Sequence, residues 1–72
     1  MKAGDVVELI WDDHAFHFGE NNGKGVVRTT SVGYLVRDTE SEVAIAISRN
    51  VDGFSDIQVV DKRMLLSRKK VR

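Results

Sequence analysis

Two apolar runs in mid-chain, Val32-Gly33-Tyr34-Leu35-Val36-Arg37 and Val43-Ala44-Ile45-Ala46-Ile47, constrain the fold of this sequence most. Both are rich in β-branched or aromatic residues, and Asp38-Thr39-Glu40-Ser41 between them is turn chemistry, so they read as one antiparallel hairpin. In the second run, Glu42 to Arg49, a period of two places Val43, Ile45 and Ile47 on one side and Ala44, Ala46 and Ser48 on the other. The large set belongs in a core. The small set leaves a flat outer face on which a second copy could pack. The first run extends back to about Val26, which makes a long central strand with Gly33 in its interior. Such a glycine marks a bend, a bulge or a close backbone approach, and a bent strand can serve both layers of a small orthogonal barrel.

The flanking segments attach to this hairpin. Val6 to Trp11 alternates, with Val7, Leu9 and Trp11 directed inward. Asn50-Val51-Asp52-Gly53 is a tight turn, with Asp-Gly as the hairpin signal, and it leads into a strand Phe54 to Val60 whose expected inward residues are Ile57 and Val59. Asp61-Lys62-Arg63-Met64 is too short for an α-helix and suits a single helical turn capped by Asp61. Leu65 to Arg68 then reads as a short last strand. The expected architecture is all-β: residues 1–68 as a small five-stranded SH3-like barrel, with a long loop after the first strand and a single helical turn before the last. Residues 69–72 follow as a basic tail.

At 72 residues the chain is one domain near the size at which a single core is only just sufficient. It has no cysteine, which removes disulfides and thiolate zinc sites as reinforcement and makes a homo-oligomer a live expectation. No run approaches the length of a membrane span, and Asp5 follows Met1-Lys2-Ala3-Gly4 where a signal peptide would have its apolar core. A cytoplasmic protein without membrane contact is therefore expected. The formal net charge of 0 hides a split, −6 over residues 1–61 and +6 over residues 62–72. A basic end of this kind points to nucleic acid or an acidic partner, or lies against its own acidic body.

Trp11-Asp12-Asp13-His14, Ser31-Val32-Gly33-Tyr34-Leu35-Val36, Val43-Ala44-Ile45-Ala46 and Met64 through Arg68 together resemble a group of small uncharacterised phage and prophage proteins with an SH3-like barrel. In that group a tryptophan-acidic pair opens the long loop and a basic segment closes the chain. Proline is frequent there near the helical turn, where this chain has Val60-Asp61-Lys62. The resemblance implies a barrel and a phage-like origin, with a host cytoplasm as the compartment, and it carries no activity.

The chemistry-bearing residues point to binding more than to catalysis. No glycine-rich phosphate loop, nucleophile elbow or serine with a base is present, so no enzyme activity and no cofactor are expected. Asp12-Asp13-His14, His17 and Glu20 include metal-ligand types, but in extended chain His14 and His17 point to opposite faces, and no metal is expected. The long loop instead brings Phe16 and Phe18 beside Trp11 and Tyr34, and aromatics are enriched at binding hot spots. The candidate partner-binding set is Trp11, Asp12, His14, Phe16, His17, Phe18 and Tyr34, directed at a host protein or a small ligand. The alternative for the loop aromatics is a lid over one end of the barrel. The alternative function is nucleic-acid binding through Lys62, Arg63, Arg68, Lys69, Lys70 and Arg72.

Overall fold

The alternating segments become strands in the computed structural model, which describes residues 1–13 and 27–72. They are β1 (Val6–Asp13), β2 (Val27–Asp38), β3 (Glu42–Asn50), β4 (Gly53–Asp61) and β5 (Leu65–Lys70), with a 3₁₀ turn, Lys62–Met64, between the last two. All pairings are antiparallel in one sheet of order β4-β3-β2-β1-β5. The five strands and the single turn are those expected. The sheet is not closed: β4 and β5 are its two edges. The final strand is longer than Leu65–Arg68. Lys69 and Lys70 pair with Glu8 and Val7, and the peptide groups of Val71 and Arg72 still bond to Val6.

The long central strand divides its partners. Val27 to Tyr34 pairs with β1, whereas only Tyr34 to Asp38 pairs with β3. Gly33 sits at the handover. A Cβ built there would lie 2.5 Å from the Ala46 carbonyl oxygen and 3.2 Å from its carbon, so a side chain is excluded by the neighbouring backbone. Two residues on, the register slips between Leu35 and Arg37, a bulge that adds twist to the same stretch. Thus the interior glycine marks a close approach with a bulge beside it, within one sheet.

The core forms where the two pairings overlap. Val7, Leu9, Trp11, Leu35, Val43, Ile45 and Val60 are buried together, with Leu65 packed against them. Removing side chains of this size from water contributes about 1.5–3 kcal/mol each. Only half of β3 takes part. Ile47, expected inside with Val43 and Ile45, is 56% exposed, because β2 has no pairing with β3 beyond Ala46. In β4 the expected inward set is inverted: Ile57 and Val59 are 45% and 49% exposed, and Val60 is fully buried. The cause is register. Val43 faces Val60 and Ile45 faces Gln58, which turns the alternate residues to the other side.

The turns follow their sequence. Thr39 Oγ1 accepts from the N–H groups of Ser41 and Glu42 at 3.3 and 3.1 Å, which fixes the β2–β3 connection. Asp61 caps the 3₁₀ turn by accepting from the Arg63 N–H at 2.8 Å. In the β3–β4 turn neither Val51 nor Asp52 has positive φ, so it is not the mirror-image turn that an Asp-Gly pair favours. The positive φ falls instead on Gly53, at 119°, opposite Asn50.

Candidate functional site

Trp11 and Tyr34, the described aromatic residues of the set expected to form one surface, lie on opposite faces of the sheet. Trp11 is on the core side, 6% exposed, and its Nε1–H donates to Ser31 Oγ at 3.1 Å, so the ring and its one polar atom are both accommodated inside. It is a core residue, with almost no area left for a partner. Asp12 is on the other face, opposite Arg28 across the β1–β2 pair, and accepts from Arg28 Nε at 2.8 Å and Nη2 at 3.5 Å. Tyr34 shares that face, paired with Val6 and with Ala46. His14, Phe16, His17 and Phe18, together with Glu20, lie outside the described residues.

Tyr34 has a different company from that expected. Its ring centroid is 6.1 Å from that of Phe54, tilted by 40°, and the Arg49 guanidinium carbon lies 4.8 Å from the centre of the Tyr34 ring. Both are favourable geometries for a ring pair and for a cation over a π face. Arg49 and Phe54 face each other across the β3–β4 pair, in the part of that hairpin that runs past the last β2–β3 pairing. Along this ribbon Ile47, Val51 and Phe54 are all exposed, and Ile57 is exposed at its base, opposite Ala46. No sequence signal joins Arg49 and Phe54 to Tyr34, since the three are brought together by the register of two successive hairpins.

The flat face of small residues is already filled. Ala44 and Ala46 are fully buried within the single chain, between Arg37 and Tyr34 on β2 and Val59 and Ile57 on β4. A second copy therefore finds no surface on the alanines themselves. What is exposed around them is the branched apolar residues of β4.

The basic end lies against acidic groups of its own chain. Asp38, at the end of β2, receives Lys62 Nζ at 2.5 Å and also Arg68. Hydrogen bonding from Lys62, and then the charge of Arg68, hold its carboxyl below the ordinary 3.8 against the opposing effect of burial. Asp61 is held lower, at about 2, by the Arg63 side chain and then by the Arg63 N–H that it caps. Lys69 and Lys70 stand 3.9 Å from Glu8 and Asp5, looser contacts in which both lysines stay exposed. Of the six basic residues, five thus have a carboxylate partner. Arg72 is fixed through its backbone to Val6. The 3₁₀ turn is tied to the same corner by the Lys62 N–H, which donates to the Ser41 carbonyl at 2.9 Å.

Comparison with protein-family models, with curated proteins and with solved structures finds no match to this chain. The geometry above is therefore the basis of the functional reading.

Proposed function

We propose that this chain is a non-enzymatic binding module on an SH3-like barrel, a phage-encoded accessory protein that occupies a host protein or a small ligand in the host cytoplasm. The strand order, the β2 strand that passes from β1 to β3, and the 3₁₀ turn before β5 support the barrel reading. The phage origin rests on the sequence resemblance. The observation that carries the binding role is the ribbon formed by the far half of β3 and the near half of β4. It holds Arg49 and Phe54 against Tyr34 and leaves Ile47, Val51 and Phe54 exposed. Tyrosine and arginine are the residue types that dominate binding hot spots, and exposed apolar surface of this kind marks interaction sites. Tyr34 is the described member of the sequence-derived set that touches this ribbon, and Asp12, His14, Phe16, His17 and Phe18 remain part of the proposed surface.

Nucleic-acid binding through Lys62, Arg63, Arg68, Lys69, Lys70 and Arg72 has less support, because most of these cations already face carboxylates of the same chain. The test of the leading reading is affinity capture from a host lysate with wild type and with I47S/F54S. A partner retained by wild type should be lost by the double variant, while the melting temperature changes little. Retention of the partner, or a loss that merely follows unfolding, would overturn the assignment.

A further inference from the structure

The two edges of the sheet carry opposite charge. β4, from Gly53 to Asp61, contains Asp56 and Asp61 and no basic residue, and β5, from Leu65 to Lys70, contains Arg68, Lys69 and Lys70 and no acidic one. No described strand pairs with the outer side of either, so each presents a row of main-chain donors and acceptors. Each also exposes apolar side chains: Phe54, Ile57 and Val59 on β4, and Leu66 on β5 with Val71 beyond its end. Among the described residues nothing pairs with either edge, and the cysteine-free core is small for an isolated domain.

We infer that copies of this chain associate head to tail, the acidic β4 edge of one pairing with the basic β5 edge of the next. The occupant of each edge is thus the other edge of a second copy. Charge selects this pairing over its alternatives. Two β4 edges would bring Asp56 against Asp56, Asp61 being already paired with Arg63, and two β5 edges would oppose Lys69 and Lys70 to the same two lysines, Arg68 being already held by Asp38. Lys69 and Lys70 are suited to reach a neighbour, since they are exposed and stand 3.9 Å from their own carboxylates, in contrast to the tight pair of Lys62 with Asp38. Asp56 is their natural target. It is exposed, and its φ of 57° departs from the regular strand at the acidic edge. A heterologous contact of this kind closes into a ring or runs on as a chain, according to the rotation between copies. The contact shares Asp56 with the ribbon that holds Tyr34, Arg49 and Phe54 and otherwise uses β4 beyond it, and it does not depend on that ribbon having another partner.

The test is charge exchange between the edges, read as mass in solution by sedimentation and light scattering. Wild type should be oligomeric at low salt and dissociate as salt is raised, since screening shortens to about 3 Å at 1 M. K69E/K70E makes β5 acidic and I57K/V59K cancels the acidic charge of β4, so each variant alone should be monomeric with a native circular dichroism spectrum. Mixed one to one they should associate again, because the unaltered acidic β4 edge of one variant then meets the unaltered basic β5 edge of the other. If I57K/V59K does not fold, D56N takes its place, keeping a residue type that tolerates positive φ and weakening association by about tenfold. A wild type that stays monomeric at low salt and high concentration would overturn the inference. So would K69E/K70E that still self-associates, or a mixture of two folded variants that stays monomeric.

Discussion

The two halves of β3 show how one alternating pattern acquires two fates. Val43, Ala44, Ile45 and Ala46 are all fully buried, on both sides of the strand, whereas Ile47 two residues after Ile45 is more than half exposed. Residue type does not distinguish them, since Ile45 and Ile47 are the same amino acid in the same strand. The difference lies in the neighbours. Among the described residues, the first half has β2 on one side and β4 on the other, and the second half pairs with β4 alone. A two-stranded ribbon has no layer to bury its apolar side chains against and is marginal by itself. The structure thus separates a half that holds the fold together from a half that presents residues outward.

Truncating the same residue on either side of that boundary gives the largest expected contrast. Ile45→Ala removes a fully buried side chain from the core and should cost about 2–5 kcal/mol. For 72 residues the whole stability is on the order of 4–11 kcal/mol, so this variant should be unfolded or nearly so at ordinary temperature. Ile47→Ala should stay within about 0.5 kcal/mol of wild type. Denaturant melts of the two proteins measure both. Equal losses would show that the ribbon is covered in solution and would remove the distinction between the halves.

The boundary itself depends on Gly33. Adding a methyl group there places carbon 2.5 Å from a main-chain oxygen of β3, and backbone cannot rotate away as a side-chain tip would. Gly33→Ala should therefore destabilise by about 1–3 kcal/mol, the usual cost of overpacking. A thermal melt showing no loss would mean that β3 lies farther from the handover, and that β2 and β3 part for some other reason.

Much of the buried half was legible in the sequence. Val7, Leu9 and Trp11 alternate with half-buried residues in β1, Val43 and Ile45 carry the same signal in β3, and the Asp61 cap is read directly from its neighbours. What alternation leaves open is which side of β4 faces in. That strand has large apolar residues at Ile57 and Val59 and again at Val60, and only pairing with Val43 decides for Val60. Pattern also cannot say where a strand loses its neighbour, which is why Ile47 reads as core. Trp11 was open to both readings, and its hydrogen bond to Ser31, 20 residues away, assigns it to the interior. The candidate surface was less legible still. Tyr34 was found by its type, but Arg49 and Phe54 join it only through tertiary register, and the acidic partners of the basic end include Asp38, 30 residues before Arg68.

The smallest expected effect concerns the ionic corner that fastens the buried half. Asp38 receives Lys62 and Arg68 beside the β2–β3 turn, and both Asp38 and Asp61 have folded pKa values below the ordinary 3.8, with Asp61 at about 2. A carboxylate whose pKa is depressed by folding stabilises the fold at pH values above its unfolded pKa. That contribution is lost as pH falls through the folded value. The melting temperature should thus be steady above about pH 5 and decline progressively between there and about pH 2. Asp38→Asn cannot ionise and should show a shallower decline. At neutral pH it should cost about 1 kcal/mol or less, since Arg68 and Asp38 are partly open to water and salt screens them. Parallel acid slopes for the two proteins would mean that the corner adds nothing measurable. The burial around Val43, Ile45 and Val60 would then be sufficient to hold the β2–β3 turn against the 3₁₀ segment.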